Sequence, residues 1–147
     1  KRYHHRYIGI GGRLDTIQAA VLLAKLPHYE DEISKRQVVS ALYTKQLKSV
    51  LKPFIKAKRT SVWSQYTIRV QNRDNLQEKL KEQGIPTAVH YPIPLHLQEC
   101  FQYLNYKLGD FPVAERSSEE VISLPMNAFL HNDEIKYIAK NINMITL

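Results

Sequence analysis

Cysteine is nearly absent from this chain, and long apolar runs are absent altogether. The single cysteine, Cys100, cannot form an internal disulfide or a multi-thiolate metal site. No apolar stretch approaches the ~20 residues that a helix needs to span a bilayer. Residues 1–13 are basic and aromatic and lack the apolar core of a signal peptide. These absences favour a reducing, cytoplasmic setting.

Repeats and low-complexity segments are also lacking, and 147 residues are enough for one domain with a core of its own. The net charge of +7 permits an anionic partner, such as nucleic acid, a membrane surface or a phosphorylated small molecule. Basic residues are mostly spread along helical segments. The exception is the run at residues 1–7 (KRYHHRY), which as a tail is expected to be solvated. Because the chain begins at Lys1, we expect either processing or a piece of a longer protein.

Apolar periodicity predicts two long helices in the N-terminal part. The first covers residues 14–26, where Asp15 caps and Gln18 follows three residues later as in a capping box. Apolar side chains extend nearly all round this helix, which predicts burial against an external surface. The second helix is predicted over residues 27–50. Its apolar stripe consists of Val39, Tyr43, Leu47 and Val50.

The rest of the chain mixes alternating and helical patterns. The predicted elements are a strand over residues 62–70, a helix over 73–83 capped by Asn72 and ended by Gly84, a strand over 85–91, an irregular helix over 95–106, a helix over 113–120, a strand over 121–124 and a last amphipathic helix capped by Asn132. The sequence therefore predicts an α+β domain. Two long N-terminal helices accompany a small sheet of about three strands, which helices cover.

Residues 84–96 (GIPTAVHYPIPLH) combine rigid backbone with polar aromatic side chains. The prolines on either side of position 93 fix φ and bias the preceding residues to extended backbone. His90, Tyr91 and His96 lie at this turn. Pre-ordered backbone lowers the entropy cost of binding, so the stretch is a candidate binding site. A strand end with a surface histidine is the simpler alternative.

A glycine-rich turn at residues 9–13 (GIGGR) leads into the first helix. It does not match the dinucleotide-binding fingerprint, because Leu14 stands where the third glycine would be. A flexible turn ahead of a helix N-terminus, next to Arg13, is a candidate anion site. The alternative is a close-packed turn in which the glycines relieve steric crowding.

Other chemistries find little support. His90 and His96 lack the spacing of a two-histidine motif and have no acidic ligand beside them, so no metal is expected. Cys100 lacks a local activating pattern for a nucleophile. The predicted strands do not carry the aromatic-rich pattern of an RNA-binding sheet. The net positive charge is the only feature of the sequence that supports nucleic-acid binding.

Several segments together are more specific than any single motif. They are residues 11–26 (GGRLDTIQAAVLLAKL), 65–69 (QYTIR), 73–74 (RD), 84–95 (GIPTAVHYPIPL) and 123–126 (SLPM), followed by the last helix. In order and spacing they resemble the C-terminal part of the DegT-type (DegT/DnrJ/StrS) nucleotide-sugar aminotransferases. The resemblance covers essentially the whole chain. It is strongest to the branch that aminates the 3-keto group of a UDP-N-acetyl-hexuronic acid.

The resemblance implies that residues 1–147 are the C-terminal small domain of the aspartate aminotransferase-like fold type I, with interdomain helices. The large domain, with the Schiff-base lysine that binds pyridoxal 5′-phosphate, would lie upstream, so this chain alone is expected to be inactive and free of cofactor. The implied partners are a UDP-linked keto sugar, an amino donor such as glutamate, and a second subunit sharing the site in a homodimer. Neither nucleic acid nor a membrane is implied. The pathway would be surface polysaccharide or LPS O-antigen synthesis.

By position, Arg13, His90 and Tyr91 match family residues that contact the sugar nucleotide. Arg13 can pair with a diphosphate, and the other two can hydrogen-bond sugar hydroxyls or a uronate carboxylate. Gly11 replaces an asparagine that reaches the cofactor phosphate in the family. Either the backbone N–H of Gly11 or Gly12 would bind there instead, which is the preferred account, or the cofactor would be held less tightly. No catalytic residue is expected in this chain. The alternatives are a dehydratase of the same family using pyridoxal or pyridoxamine phosphate, and a free-standing basic module that binds anions or nucleic acid.

Overall fold

The computed structural model describes residues 2–12 and 14–146. The helices and strands are α1 (Thr16–Lys25), α2 (Tyr29–Gln46), β1 (Tyr66–Arg69), α3 (Arg73–Glu82), α4 (Pro112–Glu120), β2 (Val121–Leu124) and α5 (Asn132–Thr146). Short 3-10 helices at Leu26–His28, Leu95–Leu97 and Glu99–Leu104 connect them. The predicted α+β class is confirmed.

The sheet has two strands instead of about three. β1 and β2 pair antiparallel, with Tyr66 opposite Leu124. The predicted strand over residues 85–91 is wrong, because in the described chain this segment makes only a single bridge, between Ala88 and Ser123. Proline has no N–H to give to a ladder, and Pro86 and Pro92 therefore limit the pairing to the residues between them.

The core lies between this sheet and helices α2, α3 and α5. The predicted stripe of the second helix is confirmed at Val39 and Tyr43, which are buried on α2. The predicted end at residue 50 is wrong, because α2 ends at Gln46; the buried Leu47 and the partly buried Val50 reach the core from the segment that follows. The stripe of α5 is confirmed in the same way. Its buried members are Ile135, Ile138, Ala139 and Ile142.

Helix ends differ from prediction where backbone geometry decides them. Gly84 adopts φ 71° just past α3, as predicted. Asn72 precedes α3 in a left-handed conformation and makes no capping hydrogen bond with its side chain, so its predicted cap is wrong. At α5 the predicted Asn132 cap shifts by one residue. The Ile135 N–H donates to the carbonyl of His131, and the His131 N–H donates to Glu134 in return.

Helix α1 stands apart from this core. Its predicted capping box is confirmed, because the Gln18 N–H donates to Asp15 at 2.8 Å and the Asp15 N–H donates to the Gln18 side chain at 3.4 Å. None of the residues Thr16–Lys25, all of which the structure describes, is buried. Ile17 and Leu23 are 78% and 70% exposed. An apolar helix so open to solvent is typical of an interface.

Among the described residues, no helix is both long and apolar enough to cross a membrane.

We predict that the apolar surface of α1 drives self-association of the 147-residue chain. Leu23→Glu should lower the apparent mass at high concentration, because a charge in an apolar contact is not paired. Val113→Glu on α4 is the control, since Val113 is equally exposed at 77%. Light scattering over a concentration series measures both variants. A wild-type chain that is monomeric throughout and binds no apolar dye would contradict the prediction.

A second prediction concerns the buried hydroxyl of Tyr43, which donates to the carbonyl of Pro125 at 2.9 Å. Tyr43→Phe should lower the free energy of unfolding by about 1–3 kcal/mol, because a buried acceptor loses its partner. Tyr137→Phe is the matched control, since its hydroxyl donates to the Gln83 carbonyl at 3.1 Å in an exposed setting. Urea denaturation compares the two variants. Equal losses of unfolding free energy in both would show that burial of the Tyr43 hydrogen bond is unimportant.

Candidate functional site

A groove of about 740 Å³ brings three distant parts of the chain together. His90 and Tyr91 line it, together with Tyr3, His5 and Gln98. The opposite wall comes from α4 and the start of β2. Its residues are Ala114, Ser117, Ser118 and Val121. The groove therefore joins polar aromatic side chains to small hydroxyl side chains.

The bridge between Ala88 and Ser123 places His90 and Tyr91 at the groove. The Ala88 N–H donates to the Ser123 carbonyl at 3.1 Å, and the Ser123 N–H donates back at 2.7 Å. Ideal strand alternation would turn His90 and Tyr91 to opposite faces. No strand continues past the bridge, and both side chains line the groove, with ring centroids 5.7 Å apart in an edge-on arrangement.

Only one of the two N-terminal candidates, Gly11, lies among the described residues. Arg13 lies outside the described residues, so its role stays a prediction. Gly11 is exposed and is not among the described residues that line the groove. A Cβ added at the neighbouring Gly12 would meet nothing within 4 Å. Residues 9–12 form irregular backbone without the predicted turn, and this backbone is open to an approaching anion.

The expectation of a solvated N-terminal tail is wrong for Tyr3–His5. The buried Gln98 donates its side-chain amide to the Tyr3 carbonyl at 2.9 Å and accepts from the His5 N–H at 3.2 Å. The Cys100 N–H donates to the His5 carbonyl at 3.0 Å. The charge of the run predicted a tail, because the hydrogen bonds that dock it come from Gln98, far away in sequence, and leave no local signal in the run.

Sequence reasoning also missed Gln98, because glutamine in an irregular helix is ordinarily exposed. Here it is 5% exposed, with both ends of its amide paired. No local sequence signal distinguishes it from Gln102, which is exposed in the same segment.

His96, the third candidate of the proline-rich stretch, contributes to a different cluster. Its Nε2 lies 3.0 Å from Glu115 Oε1, and the two side chains are 8% and 13% exposed. Glu115 also accepts from the N–H groups of Gly109 and Phe111. Within the described part of the chain, no group of three or more histidine, cysteine or acidic side chains could hold a metal ion.

A second groove, of about 570 Å³, lies where β1 meets α3 and α4. Arg69 and Arg116 line it with Asn72 and Glu120. Arg69 is already paired with Glu120 at 2.6 Å. Since this groove contains none of the predicted site residues, the groove at His90 and Tyr91 is the better candidate.

Acid should release the turn at residues 109–111, where N–H groups donate to the Glu115 carboxylate. Burial acts to raise the pKa of Glu115, but the N–H groups of Gly109 and Phe111 and the His96 ring outweigh it and lower the pKa below its ordinary value of 4.5. The carboxylate therefore stabilises the fold fully above that ordinary value, and the contribution is lost as pH falls through the lowered pKa.

We predict that Glu115→Gln flattens the acid limb of a plot of unfolding free energy against pH. Urea denaturation between about pH 3 and pH 7 measures the free energy of unfolding at each pH. Glu119→Gln is the control. Glu119 is exposed on the same helix, and its substitution removes the same charge. Parallel curves for wild type and Glu115→Gln would refute the assigned role.

Comparison with known proteins extends these observations. The chain is 47% identical over 140 residues to the UDP-2-acetamido-2-deoxy-3-oxo-D-glucuronate aminotransferase of Pseudomonas aeruginosa, a match that covers 94% of this chain and 38% of that enzyme. The crystal structure of a DegT DnrJ EryC1 StrS aminotransferase from Brucella abortus is 39% identical with a TM-score of 0.83, covering 99% of this chain and 39% of that one.

DesV of S. venezuelae is 30% identical with a TM-score of 0.85, over 99% of this chain and 40% of its own. The chain thus spans about 38% of the length of the P. aeruginosa relative. The model of the DegT/DnrJ/EryC1/StrS aminotransferase family matches residues 1–143. Sequence, fold and family model agree, and the chain belongs to the DegT/DnrJ/EryC1/StrS aminotransferase family.

Proposed function

We propose that residues 1–147 are the C-terminal part of a nucleotide-sugar aminotransferase and supply one wall of its substrate site. The observation that carries this is the groove in which His90 and Tyr91 meet. The chain corresponds to 38% of the P. aeruginosa relative, which leaves room for a large domain. The exposed apolar surface of α1 supports the same proposal, because a further domain or a second subunit of a homodimer would cover it.

The proposed substrate is a UDP-linked keto sugar, in agreement with the printed name of the P. aeruginosa relative. His90 and Tyr91 offer hydrogen-bonding groups for sugar hydroxyls or a uronate carboxylate, and Arg13 offers a planar cation for the diphosphate. Ser117 on the opposite wall adds a hydroxyl. The amino donor would be an amino acid such as glutamate. The enzyme would act in the cytoplasm, and its product would serve surface polysaccharide or LPS O-antigen synthesis.

The proposed cofactor is pyridoxal 5′-phosphate, on which the aminotransferases of this family depend. It fits this chain only at its phosphate end, where exposed backbone at Gly11 and Gly12 leaves room for an anion. Bound in the complete enzyme, it supplies the carbonyl carbon that carries the amino group between donor and sugar. The residues of this chain bind and orient the sugar, and the chain alone is proposed to be inactive.

The coding sequence upstream of Lys1 separates this proposal from its rivals. A large domain with a cofactor lysine supports the aminotransferase. A histidine in place of that lysine would indicate a sugar dehydratase of the same family. A start codon immediately before Lys1 would indicate a free-standing basic module that binds anions or nucleic acid.

In the complete enzyme, Arg13→Ala, His90→Ala and Tyr91→Phe should each lower kcat/KM for the nucleotide sugar. A hydrogen bond to a charged group contributes ~1.5–3 kcal/mol, so the loss should be roughly ten- to a hundredfold. The melting temperature should change little, because His90 and Tyr91 are not buried.

Arg59→Ala is the matched control, since Arg59 is an exposed arginine in the connector between α2 and β1, outside the groove. Steady-state kinetics with the purified UDP-keto sugar measures all four variants. Unchanged kinetics in the three site variants, or gross unfolding of them, would refute the assignment.

A further inference from the structure

Gln98 is a buried amide at the junction between the N-terminal segment and the groove. It stands between the 3-10 helices Leu95–Leu97 and Glu99–Leu104 and is 5% exposed. A buried amide requires partners at both ends, and its position fixes which partners it can reach. Neither the family resemblance nor the groove chemistry proposed above gives it a role.

The bonds of Gln98 imitate one rung of a β-ladder. Its amide N–H donates to the Tyr3 carbonyl at 2.9 Å, while its carbonyl accepts from the His5 N–H at 3.2 Å. The Cys100 N–H adds a bond to the His5 carbonyl at 3.0 Å. A nearby ion pair between Arg6 and Glu99, at 3.4 Å, is exposed and contributes little. The attachment of Tyr3–His5 therefore depends on buried hydrogen bonds rather than on surface charge.

This attachment shapes the groove. The Tyr3 ring meets the Tyr91 ring edge-on, with centroids 5.9 Å apart, and the Arg2 guanidinium lies 4.9 Å from the Tyr3 centroid. Tyr3 and Tyr91 belong to segments far apart in sequence, and the hydrogen bonds that hold Tyr3–His5 place their rings in contact. Held together, they present one aromatic face with a cation at its edge.

The same attachment limits the segment that follows it. The chain between His5 and Gly11 can reach at most roughly 20 Å when fully extended. Fixing His5 therefore restricts where the glycine-rich segment at residues 9–12 can lie relative to the groove.

We propose that Gln98 is a positioning residue of the substrate groove, which holds Tyr3–His5 against Tyr91 so that both tyrosines bind the sugar nucleotide. This inference rests on the proposed function, since it names a further determinant of the same site. Gln98 touches no substrate in this account. It acts through Tyr3, and its removal should weaken binding more than it slows turnover.

Gln98→Glu tests the geometry of the amide with a change of a single group. An ionised carboxylate cannot donate to the Tyr3 carbonyl and repels it, whereas a protonated carboxyl can donate to that carbonyl and accept from the His5 N–H. Burial raises the pKa of a carboxyl above its ordinary ~4.3, so lowering the pH to about 5 restores the donor. Gln98→Met removes both bonds at every pH. Gln102→Glu is the charge-matched control in the same segment, because Gln102 is exposed.

Three measurements, namely hydrogen exchange, ligand titration and steady-state kinetics for kcat, are made on the complete protein at about pH 7.5 and about pH 5. Hydrogen exchange by mass spectrometry follows peptides that contain His5 and Cys100, each compared with wild type at the same pH. Titration with the UDP-keto sugar gives the dissociation constant. At the higher pH, we expect hydrogen exchange in these peptides to be at least about tenfold faster in Gln98→Glu and Gln98→Met than in wild type. Both variants should bind the UDP-keto sugar about tenfold more weakly, with kcat changed less than about threefold. At the lower pH, Gln98→Glu alone should return towards wild type.

The outcomes separate this inference from the function beneath it. Faster exchange with unchanged sugar affinity would show that Gln98 docks the segment without shaping the groove, and would overturn the inference while leaving the function intact. Equal losses of sugar affinity for Gln98→Glu and Gln98→Met at both pH values would show that Gln98 has only a structural role. That result would also overturn the inference. A wild-type protein that binds no UDP-sugar would refute the proposed function, and the inference with it.

Discussion

The antiparallel pairing of β1 with β2 is the constraint on which the rest of the structure depends. It sets Thr67 against Ser123, where their hydroxyls hydrogen-bond at 2.9 Å, and leaves the other edge of Ser123 for Ala88. That single bridge fixes the segment after α3, and His90 and Tyr91 follow it directly at the groove. A short sheet therefore positions the site, although it contributes few residues to it.

The groove is assembled from parts that no local rule connects. Tyr3 and His5 come from the N-terminal segment, and Ser117 comes from α4. Buried polar side chains make the connections, because an unpaired amide or carboxylate inside a protein is costly and so specifies its partners. Gln98 joins the N-terminal segment to the groove, and Glu115 joins His96 to the turn that precedes α4.

Two exposed surfaces of the chain are ones that the proposed complete enzyme would cover. Helix α1 exposes apolar side chains on every side, whereas α5 buries a clean stripe. The glycine-rich segment at residues 9–12 is open, with room beside Gly12. Both features fit a chain that corresponds to 38% of its P. aeruginosa relative, since interdomain and intersubunit surfaces would be exposed in it.

The sequence by itself determined the α+β class, the α-helices apart from some of their ends, and the two paired strands, because periodicity, the Asp15 cap and Gly84 act over a few residues. It did not determine the third strand, which prolines reduced to one bridge at Ala88. Nor could it show that Gln98 docks Tyr3–His5 or that His96 turns to Glu115. Only the tertiary structure decided those contacts, because they join residues far apart in the chain through buried hydrogen bonds that leave no periodic signal.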